Sequence, residues 1–316
     1  MTELVVESSR SEWSVGRKRI GGALLAVYSL LALTSSSDDL QPSLPPETKI
    51  VAMGDSYTSG HGNGDVRDRY NDCLRDPVSY AYKIADQLDL LDGFSNEACS
   101  GATPEEIING RFGEKPQIEA LSSQTDFVLL TTGANATNLT ELLNSCADAE
   151  CSLNNQHVTK LLDYVSSQSF IERLKHVYRS IAKNAPNAAI IVVEYPQIVN
   201  TEAICGDIIG QGGMGFALEE AIRALNSSIS TAVNEMKIEG VKVFLSPATP
   251  DIDLCGTFGT SFFTDPTNPR ALGHPTGTGH EAIAKSVEET MAAAQYTMDY
   301  NEYSSTKSIK PETRRR

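Results

Sequence analysis

Short apolar runs alternate with longer amphipathic stretches along most of the chain. The runs occupy residues 49–53, 94–99, 127–131, 188–193 and 241–245. Two of them are apolar almost without interruption, which is typical of strands buried on both faces of a sheet. Because amphipathic stretches separate the runs, the pattern predicts an α/β fold, a three-layer α/β/α sandwich around a central, mainly parallel five-stranded sheet.

Two of the intervening stretches carry apolar side chains at helical spacing, which predicts helix faces that pack on a core. These stripes are Phe170, Leu174, Val177, Tyr178 and Ile181, and Leu218, Ile222, Leu225, Ile229 and Val233. Three helix starts are also predicted, because Thr103, Asn138 and Thr278 each precede a glutamate by three residues, the spacing of a capping box. Thr103 is followed by Pro104, and proline is favoured at the first helical position.

The first 36 residues have the pattern of an export signal. Three basic residues, Arg17, Lys18 and Arg19, precede an apolar segment that is short for a membrane span. We expect a cleaved secretory signal peptide, with an uncleaved N-terminal membrane anchor as the alternative. Both interpretations place the body outside the membrane, either secreted or anchored on the outer side. The remaining boundaries are a linker at 37–47, one globular domain at 48–296 and a disordered tail at 297–316.

Composition and charge narrow the class of partner. Apolar residues make up 40% and charged residues 21% of the 316 positions, as in a globular protein. The net charge is −15, and residues 37–296 hold 17 Lys and Arg against 35 Asp and Glu. Such an acidic body repels nucleic acid and anionic headgroups. We expect neutral partners, no nucleic acid, and membrane contact only through an uncleaved N-terminal segment.

All six cysteines follow the export segment. An even number of cysteines in an exported chain predicts disulfides. None has the CxxC or histidine spacing of a zinc site, so no metal is expected. Several pairings are possible, and sequential pairing, which closes the shortest loops, predicts Cys73–Cys99, Cys146–Cys151 and Cys205–Cys255.

A candidate nucleophile follows the first predicted strand. Ser56 lies in a turn between Gly54 and Gly60, and open parallel sheets meet their ligands at the carboxyl ends of the strands. Taken alone, Ser56 could equally be an ordinary turn or helix-cap residue. His61 is a candidate for lining the same pocket. The glycines around His61 lack the spacing of a dinucleotide-binding fingerprint, so no cofactor is expected.

His274 is the candidate general base among the five histidines. It lies on a predicted loop beyond the last strand, where Pro275 keeps it out of helical geometry. A loop histidine there can reach a serine beyond the first strand. His157 and His176 are expected to be surface residues, and His280, at a helix start, is expected to be structural.

Acyl transfer also needs hydrogen-bond donors that point at the developing oxyanion. Gly101 offers a backbone N–H just before the capped helix, and Asn135 offers a side-chain amide after the third strand. Taken alone, each segment could be an ordinary strand-to-helix turn.

Four segments together resemble the SGNH hydrolase family, also called GDSL esterases and lipases. They are the nucleophile block (54–56, Gly-Asp-Ser), the glycine block (100–103, Ser-Gly-Ala-Thr), the asparagine block (133–135, Gly-Ala-Asn) and the base block (274–275, His-Pro). Their order over about residues 48–295 matches the family, and the cysteines are similar to those of its secreted, disulfide-bonded branch. The resemblance implies a flavodoxin-like fold, Ser56 as nucleophile, His274 as general base, and an oxyanion hole formed by Gly101, Asn135 and the Ser56 N–H.

Two positions depart from the family pattern. The asparagine block usually continues with aspartate, where this chain has Ala136. The base block usually carries an aspartate three residues before the histidine, where this chain has Ala271. The imidazole must still be held in the correct tautomer. By resemblance to members that use a backbone carbonyl, the Ala271 carbonyl is the first candidate for orienting His274, and Asp265 is the second.

The expected function is that of an exported serine esterase or lipase that hydrolyses carboxylic esters through an acyl-serine intermediate, as a monomer. Simple lipid esters are the leading substrates. A deacetylase of acetylated glycans on the same fold is one alternative. An inactive binding module is another, suggested by Ala136 and Ala271. The joint presence of the four blocks favours the enzyme.

Overall fold

A sheet of five strands forms the centre of the computed structural model. All pairings are parallel, and the strands lie in the order β2-β1-β3-β4-β5. Every residue of β1, β3 and β4 is buried, because helices cover both faces of the sheet. The predicted α/β sandwich is therefore confirmed. The strands are β1 (Ile50–Gly54), β2 (Phe94–Asn96), β3 (Phe127–Thr131), β4 (Ala189–Val193) and β5 (Val243–Ser246).

The structure describes residues 44–62, 72–137, 139, 153–197, 214–247 and 273–307. Several predictions concern residues outside these ranges and stay predictions. They include the export segment, the helix start at Asn138, the pairs Cys146–Cys151 and Cys205–Cys255, and the two candidates for orienting His274, Ala271 and Asp265.

Both predicted apolar stripes lie on helices and face the core, since none of their ten side chains is more than 6% exposed. The first stripe lies on α5 and the second on α6. The described helices are α1 (Ser56–Ser59), α2 (Tyr80–Gln87), α3 (Pro104–Asn109), α4 (Gln156–Val165), α5 (Gln168–Asn184), α6 (Met214–Ile238) and α7 (Gly277–Lys307). In these ranges, no helix combines the length and the apolar character that crossing a bilayer requires.

The direction in which strands are added reverses at β1. The chain passes from β1 to β2, then crosses to β3 on the other side of β1 and continues outward to β5. Because parallel crossovers are right-handed, the reversal places α2 on one face and α3, α5 and α6 on the other. Helix α7 returns to pack on α2. The carboxyl ends of β1 and β3 thus form the topological switch point, where open α/β sheets bind ligands.

The two ends of α7 differ from the sequence prediction. The helix begins at Gly277 rather than after Thr278, because the Thr276 hydroxyl accepts from the Gly279 N–H at 3.3 Å and caps the first turn. At the other end, α7 continues to Lys307, whereas a disordered tail was expected from residue 297. Met298 still packs against the core, so the apolar spacing extends into the expected tail.

The predicted disulfide between Cys73 and Cys99 is present, with the two Cα atoms 4.1 Å apart. It joins the segment before α2 to the segment after β2 across 26 residues. The chain-entropy model gives about 3 to 4 kcal/mol of stabilisation for a loop of this length. The bridge therefore contributes to stability and holds the residues that lead into Gly101.

Candidate active site

The segments that follow β1 and β3 start together at the switch point. Gly54 pairs in register with Thr131, and the Asp55 N–H donates to the Thr131 carbonyl at 3.0 Å. Gly54 has a φ of 126°, and a Cβ there would lie 2.1 Å from the Thr131 carbonyl oxygen. Only glycine allows this close approach of the two strand ends.

Ser56 is the first residue of α1, and Asp55 caps this helix. Asp55 Oδ1 accepts from the Tyr57 N–H at 3.0 Å, which satisfies one donor of the first turn. The Ser56 carbonyl accepts from the N–H groups of Gly60 and His61, both at 3.1 Å. Among the described residues, no acceptor is bonded to the Ser56 N–H. This donor is therefore available to a ligand at the helix start.

A buried network of hydrogen bonds holds the nucleophile block against the end of the sheet. Thr58 Oγ1 accepts from the Thr131 N–H at 3.2 Å and lies 3.0 Å from the Tyr80 hydroxyl oxygen. Gln117 makes a two-way pair with Gly54: its Oε1 accepts from the Gly54 N–H at 2.7 Å, and its Nε2 donates to the Gly54 carbonyl at 3.0 Å. These bonds fix the end of β1. Neither Tyr80 nor Gln117 was predicted from the sequence to belong to the site.

Tyr57 joins the base block to the nucleophile block. The Tyr57 hydroxyl donates to the Gly273 carbonyl at 2.6 Å. The centroids of the Tyr57 and His274 rings are 5.7 Å apart. Since Tyr57 follows Ser56 and Gly273 precedes His274, one hydrogen bond connects the loops of the candidate nucleophile and the candidate base.

His61 lies between the base block and the glycine block. Its ring centroid is 4.4 Å from that of His274, and its Nδ1 lies 2.9 Å from Ser100 Oγ. Burial lowers the pKa of His61, because a low-dielectric environment disfavours the charged imidazolium. The neutral ring can therefore stand beside His274 without charge repulsion at neutral pH.

Two backbone hydrogen bonds hold the start of the glycine block against β1 and the disulfide. The Cys99 N–H donates to the Gly54 carbonyl at 3.0 Å, and the Ser100 N–H donates to the Cys73 carbonyl at 2.9 Å. Gly101 follows with a φ of 79°, a conformation that favours glycine. Its N–H has no bonded acceptor in the described part of the chain. The geometry thus leaves this backbone donor available.

Arg111 packs against the glycine block. A Cβ on Gly101 would lie 2.9 Å from Arg111 Nη2, so the guanidinium fills the space that a larger residue would need. Arg111 is held in turn by Glu106, at 2.6 Å. Glu106 completes the predicted capping box with Thr103 at the start of α3. The capped helix therefore positions both Gly101 and Arg111.

Asn135 connects the asparagine block to the glycine block. Its Nδ2 donates to the Ala102 carbonyl at 3.2 Å, and an amide nitrogen carries two hydrogens, so one remains for a ligand. The block begins at Gly133, whose φ is 131° and whose Cβ position would lie 3.3 Å from methyl groups of Leu174 and Leu225. The structure thus brings the two predicted oxyanion donors to adjoining loops.

Tyr195 is a buried residue of the site that the sequence analysis missed. Its hydroxyl donates to Asp55 Oδ2 and accepts from the Ala134 N–H at 3.2 Å. Burial raises the pKa of Asp55 to about 7, because a low-dielectric environment disfavours the charged carboxylate. A tyrosine just beyond the fully buried strand β4 is a sequence signal that could have placed Tyr195 at this edge of the sheet.

His280 is buried, as expected of a structural residue. Its Nδ1 accepts from the Tyr80 N–H at 3.2 Å at the start of α2. The pKa of His280 is lowered to about 3, mainly by burial and then by His274 and Lys83 as nearby positive groups. His280 is therefore a neutral acceptor that joins α7 to α2. His157 and His176 are exposed, as predicted.

Ala271 and Asp265 both lie outside the residues that the structure describes. Both candidates for orienting His274, the Ala271 carbonyl and Asp265, remain hypotheses. Within the described ranges, no group of three or more His, Cys, Asp and Glu side chains is arranged to hold a metal ion.

Comparison with known proteins gives a family and several relatives. The GDSL-like lipase/acylhydrolase family matches residues 52–282, a range that contains all four blocks. Lipase 1 of Streptomyces coelicolor is 28% identical over 186 residues, which are 59% of this chain and 66% of that lipase, just under two thirds of its length. Lipase 2 of the same organism is 26% identical over 282 residues, covering 81% of this chain and 93% of that lipase.

Two solved structures share the fold over most of the chain. Phospholipase A1 from Streptomyces albidoflavus NA297 has a TM-score of 0.64 and 26% identity, over 77% of this chain and 99% of that one. An extracellular lipase from Streptomyces rimosus has the same TM-score and coverage, with 24% identity. Since the family match spans more than half of the sequence and includes every block, the chain belongs to the GDSL-like lipase/acylhydrolase family, a family of carboxylic ester hydrolases.

Proposed function

We propose that the protein is an exported serine esterase or lipase that acts through an acyl-serine intermediate. The observation that carries this proposal is the gathering of the four blocks at one edge of the sheet. The Tyr57 hydroxyl bonds to Gly273 beside His274, and the Asn135 amide bonds to Ala102 beside Gly101. Membership of the GDSL-like lipase/acylhydrolase family supports ester hydrolysis as the reaction.

In the proposed reaction, Ser56 Oγ attacks the ester carbonyl carbon while His274 takes the serine proton. The carbonyl oxygen becomes an oxyanion, which accepts hydrogen bonds from the N–H groups of Ser56 and Gly101 and from Asn135 Nδ2. The ester C–O bond then breaks, and His274 returns the proton to the leaving alkoxide. Water, activated by the same histidine, attacks the acyl-serine and releases the acid, which restores Ser56.

Neutral lipid esters are the substrate class that we propose. The relatives are named lipases, and one structural neighbour is a phospholipase A1. The acidic body disfavours polyanionic substrates. Export is part of the proposal and rests on residues 1–36 and on the extracellular lipase of the same fold. Recovery of a chain that begins near Ser37 from the culture medium tests it.

Labelling with a fluorophosphonate probe tests the proposed function. The probe should modify the wild-type protein once, and peptide mass spectrometry should locate the adduct on Ser56. A panel of p-nitrophenyl esters from acetyl to palmitoyl then gives the acyl preference. Activity confined to acetyl esters would favour the glycan deacetylase, and an unlabelled, inactive protein would favour the binding module.

Asn135→Ala should lower kcat by about 10² to 10³ with little change in stability, since it removes one oxyanion donor. Initial rates on the preferred ester measure the effect. The matched control is Asn184→Ala, because Asn184 is also exposed and also donates through Nδ2 to a backbone carbonyl, that of Ser180. An Asn135→Ala protein with undiminished kcat would remove Asn135 from the site.

Asp265→Asn should leave kcat/KM within a few-fold of the wild-type value if the Ala271 carbonyl orients His274. If Asp265 is the orienting group, the amide offers the wrong hydrogen-bond partner and the loss should be about 10⁴. Steady-state kinetics separate the two outcomes, with Asp163→Asn on the exposed face of α4 as the control. A loss beyond about 10³ with an unchanged circular dichroism spectrum would restore a Ser-His-Asp triad.

A further inference from the structure

Tyr195 is held through its backbone as well as through its hydroxyl. The backbone of Tyr195 makes a two-way pair with Asn226 of α6: its N–H donates to Asn226 Oδ1 at 3.0 Å, and its carbonyl accepts from Asn226 Nδ2 at 2.7 Å. The side chain is 2% exposed, and its ring packs edge-on against Tyr57 with centroids 5.1 Å apart. The position of the hydroxyl is therefore determined by the core.

The Tyr195 hydroxyl joins the two halves of the site. It donates to Asp55, the residue before Ser56. It accepts from the N–H of Ala134, the residue before Asn135. Asp55 uses its other oxygen to accept from Tyr57, so both carboxyl oxygens are engaged. One buried carboxyl and one phenol thus connect the nucleophile block to the asparagine block.

The loop that carries Asn135 packs on the core through Ala134 and Ala136 and is hydrogen-bonded within its own turn. Within its turn, the Ala136 N–H donates to the Gly133 carbonyl at 3.0 Å. The N–H and the hydroxyl of Thr137 both donate to the Ala134 carbonyl. The Asn135 side chain is exposed, and its described hydrogen bond is the one to Ala102. The turn is therefore internally bonded, and the Tyr195 hydroxyl connects its backbone to the core beneath the site.

We infer that Tyr195, held by Asp55, is a positioning residue that aims the Asn135 amide at the oxyanion. This inference rests on the proposed function and deepens it. Tyr195 acts through Asn135 and touches no reacting atom. It should help to stabilise the transition state, in which the oxyanion develops, and should not affect the affinity for the uncharged ester.

Tyr195→Phe tests the inference, since it removes only the hydroxyl. We expect kcat to fall about 10-fold to 100-fold, because a small displacement of a catalytic group is enough for such a loss, while KM changes less than two-fold. The matched control is Tyr178→Phe. Tyr178 is also fully buried, its hydroxyl has no partner among the described residues, and the variant should keep wild-type kcat.

A double-mutant cycle separates positioning from general support of the fold. In the Asn135→Ala background, Tyr195→Phe should lower kcat by less than about three-fold, since the group that it positions is already absent. Equal losses in both backgrounds, or a rise in KM at constant kcat, would overturn the inference. Should Asn135→Ala itself have no effect, the proposed oxyanion hole fails first, and the role of Tyr195 fails with it.

A second variant guards against misfolding of Tyr195→Phe. Asp55→Asn keeps an oxygen that can accept from the Tyr57 N–H but replaces the acceptor of the Tyr195 hydroxyl by an amide donor. It should show the same kcat loss, with the same lack of additivity with Asn135→Ala. A loss that multiplies with that of Asn135→Ala would show that Asp55 acts on Ser56 alone, and the inference would be wrong.

Discussion

Ser56→Ala should lower kcat/KM by about 10⁴ to 10⁶, because loss of the nucleophile stops formation of the acyl-enzyme. The side chain lies at the start of α1, directly beyond β1. Its removal leaves the cap at Asp55 and the bonds of the Ser56 carbonyl in place. We therefore expect a stability cost of no more than about 1 kcal/mol. Ester hydrolysis and thermal unfolding, measured on the same preparation, check both parts.

Ser228→Ala is the matched control for this variant. Ser228 is 4% exposed and Ser56 is 7% exposed, so the two serines are comparably buried. The Ser228 hydroxyl donates to the Val165 carbonyl at 2.8 Å, between α6 and α4 and away from the site. The control should keep full activity. Wild-type turnover by Ser56→Ala would show that the mechanism is wrong.

Acid should destabilise the folded protein through His280, by up to about 5 kcal/mol between pH 6.5 and pH 3. The pKa of His280 is lowered to about 3 by burial, then by His274 and Lys83. Below pH 6.5 the unfolded chain binds a proton at this residue and the folded chain does not. Stability is therefore complete above pH 6.5 and is lost as the pH falls towards 3.

His280→Asn should flatten this part of the stability profile. The Asn Oδ1 can take the place of Nδ1 as acceptor for the Tyr80 N–H, and an amide does not titrate. Denaturant unfolding at several pH values gives the difference between variant and wild type. That difference isolates His280 from Asp55, whose pKa is raised to about 7 by burial and which acts in the opposite direction, favouring stability at low pH.

The control for this series is His176→Asn, since His176 is exposed on α5. Its profile should keep the wild-type slope. If His280→Asn also keeps the wild-type slope between pH 6.5 and 4.5, His280 is not held neutral in the folded state, and this account of acid sensitivity is wrong.

The strands and the two long helical stripes were predictable because burial imposes a local pattern. A strand covered on both faces must be continuously apolar, as in β3, and a helix such as α5 must repeat its apolar positions every three to four residues. The capping box at Thr103 is equally local. At α7, the capping-box spacing predicted a helix start after Thr278, whereas the helix begins at Gly277 and the Thr276 hydroxyl caps it.

Ser56, Gly101, Asn135 and His274 could be named as candidates from the sequence, because they lie on turns and loops near predicted strand ends, and strand ends are local features. Their grouping into four ordered blocks came from the resemblance to the SGNH hydrolase family. Some contacts were decided only by the tertiary structure. The Tyr57 hydroxyl bonds to Gly273, and the Tyr195 hydroxyl bonds to both Asp55 and Ala134. His280 accepts a hydrogen bond from the Tyr80 N–H. These partners are 61 to 216 residues apart. No periodicity or spacing encodes such pairs, since each depends on how separate strands and helices pack.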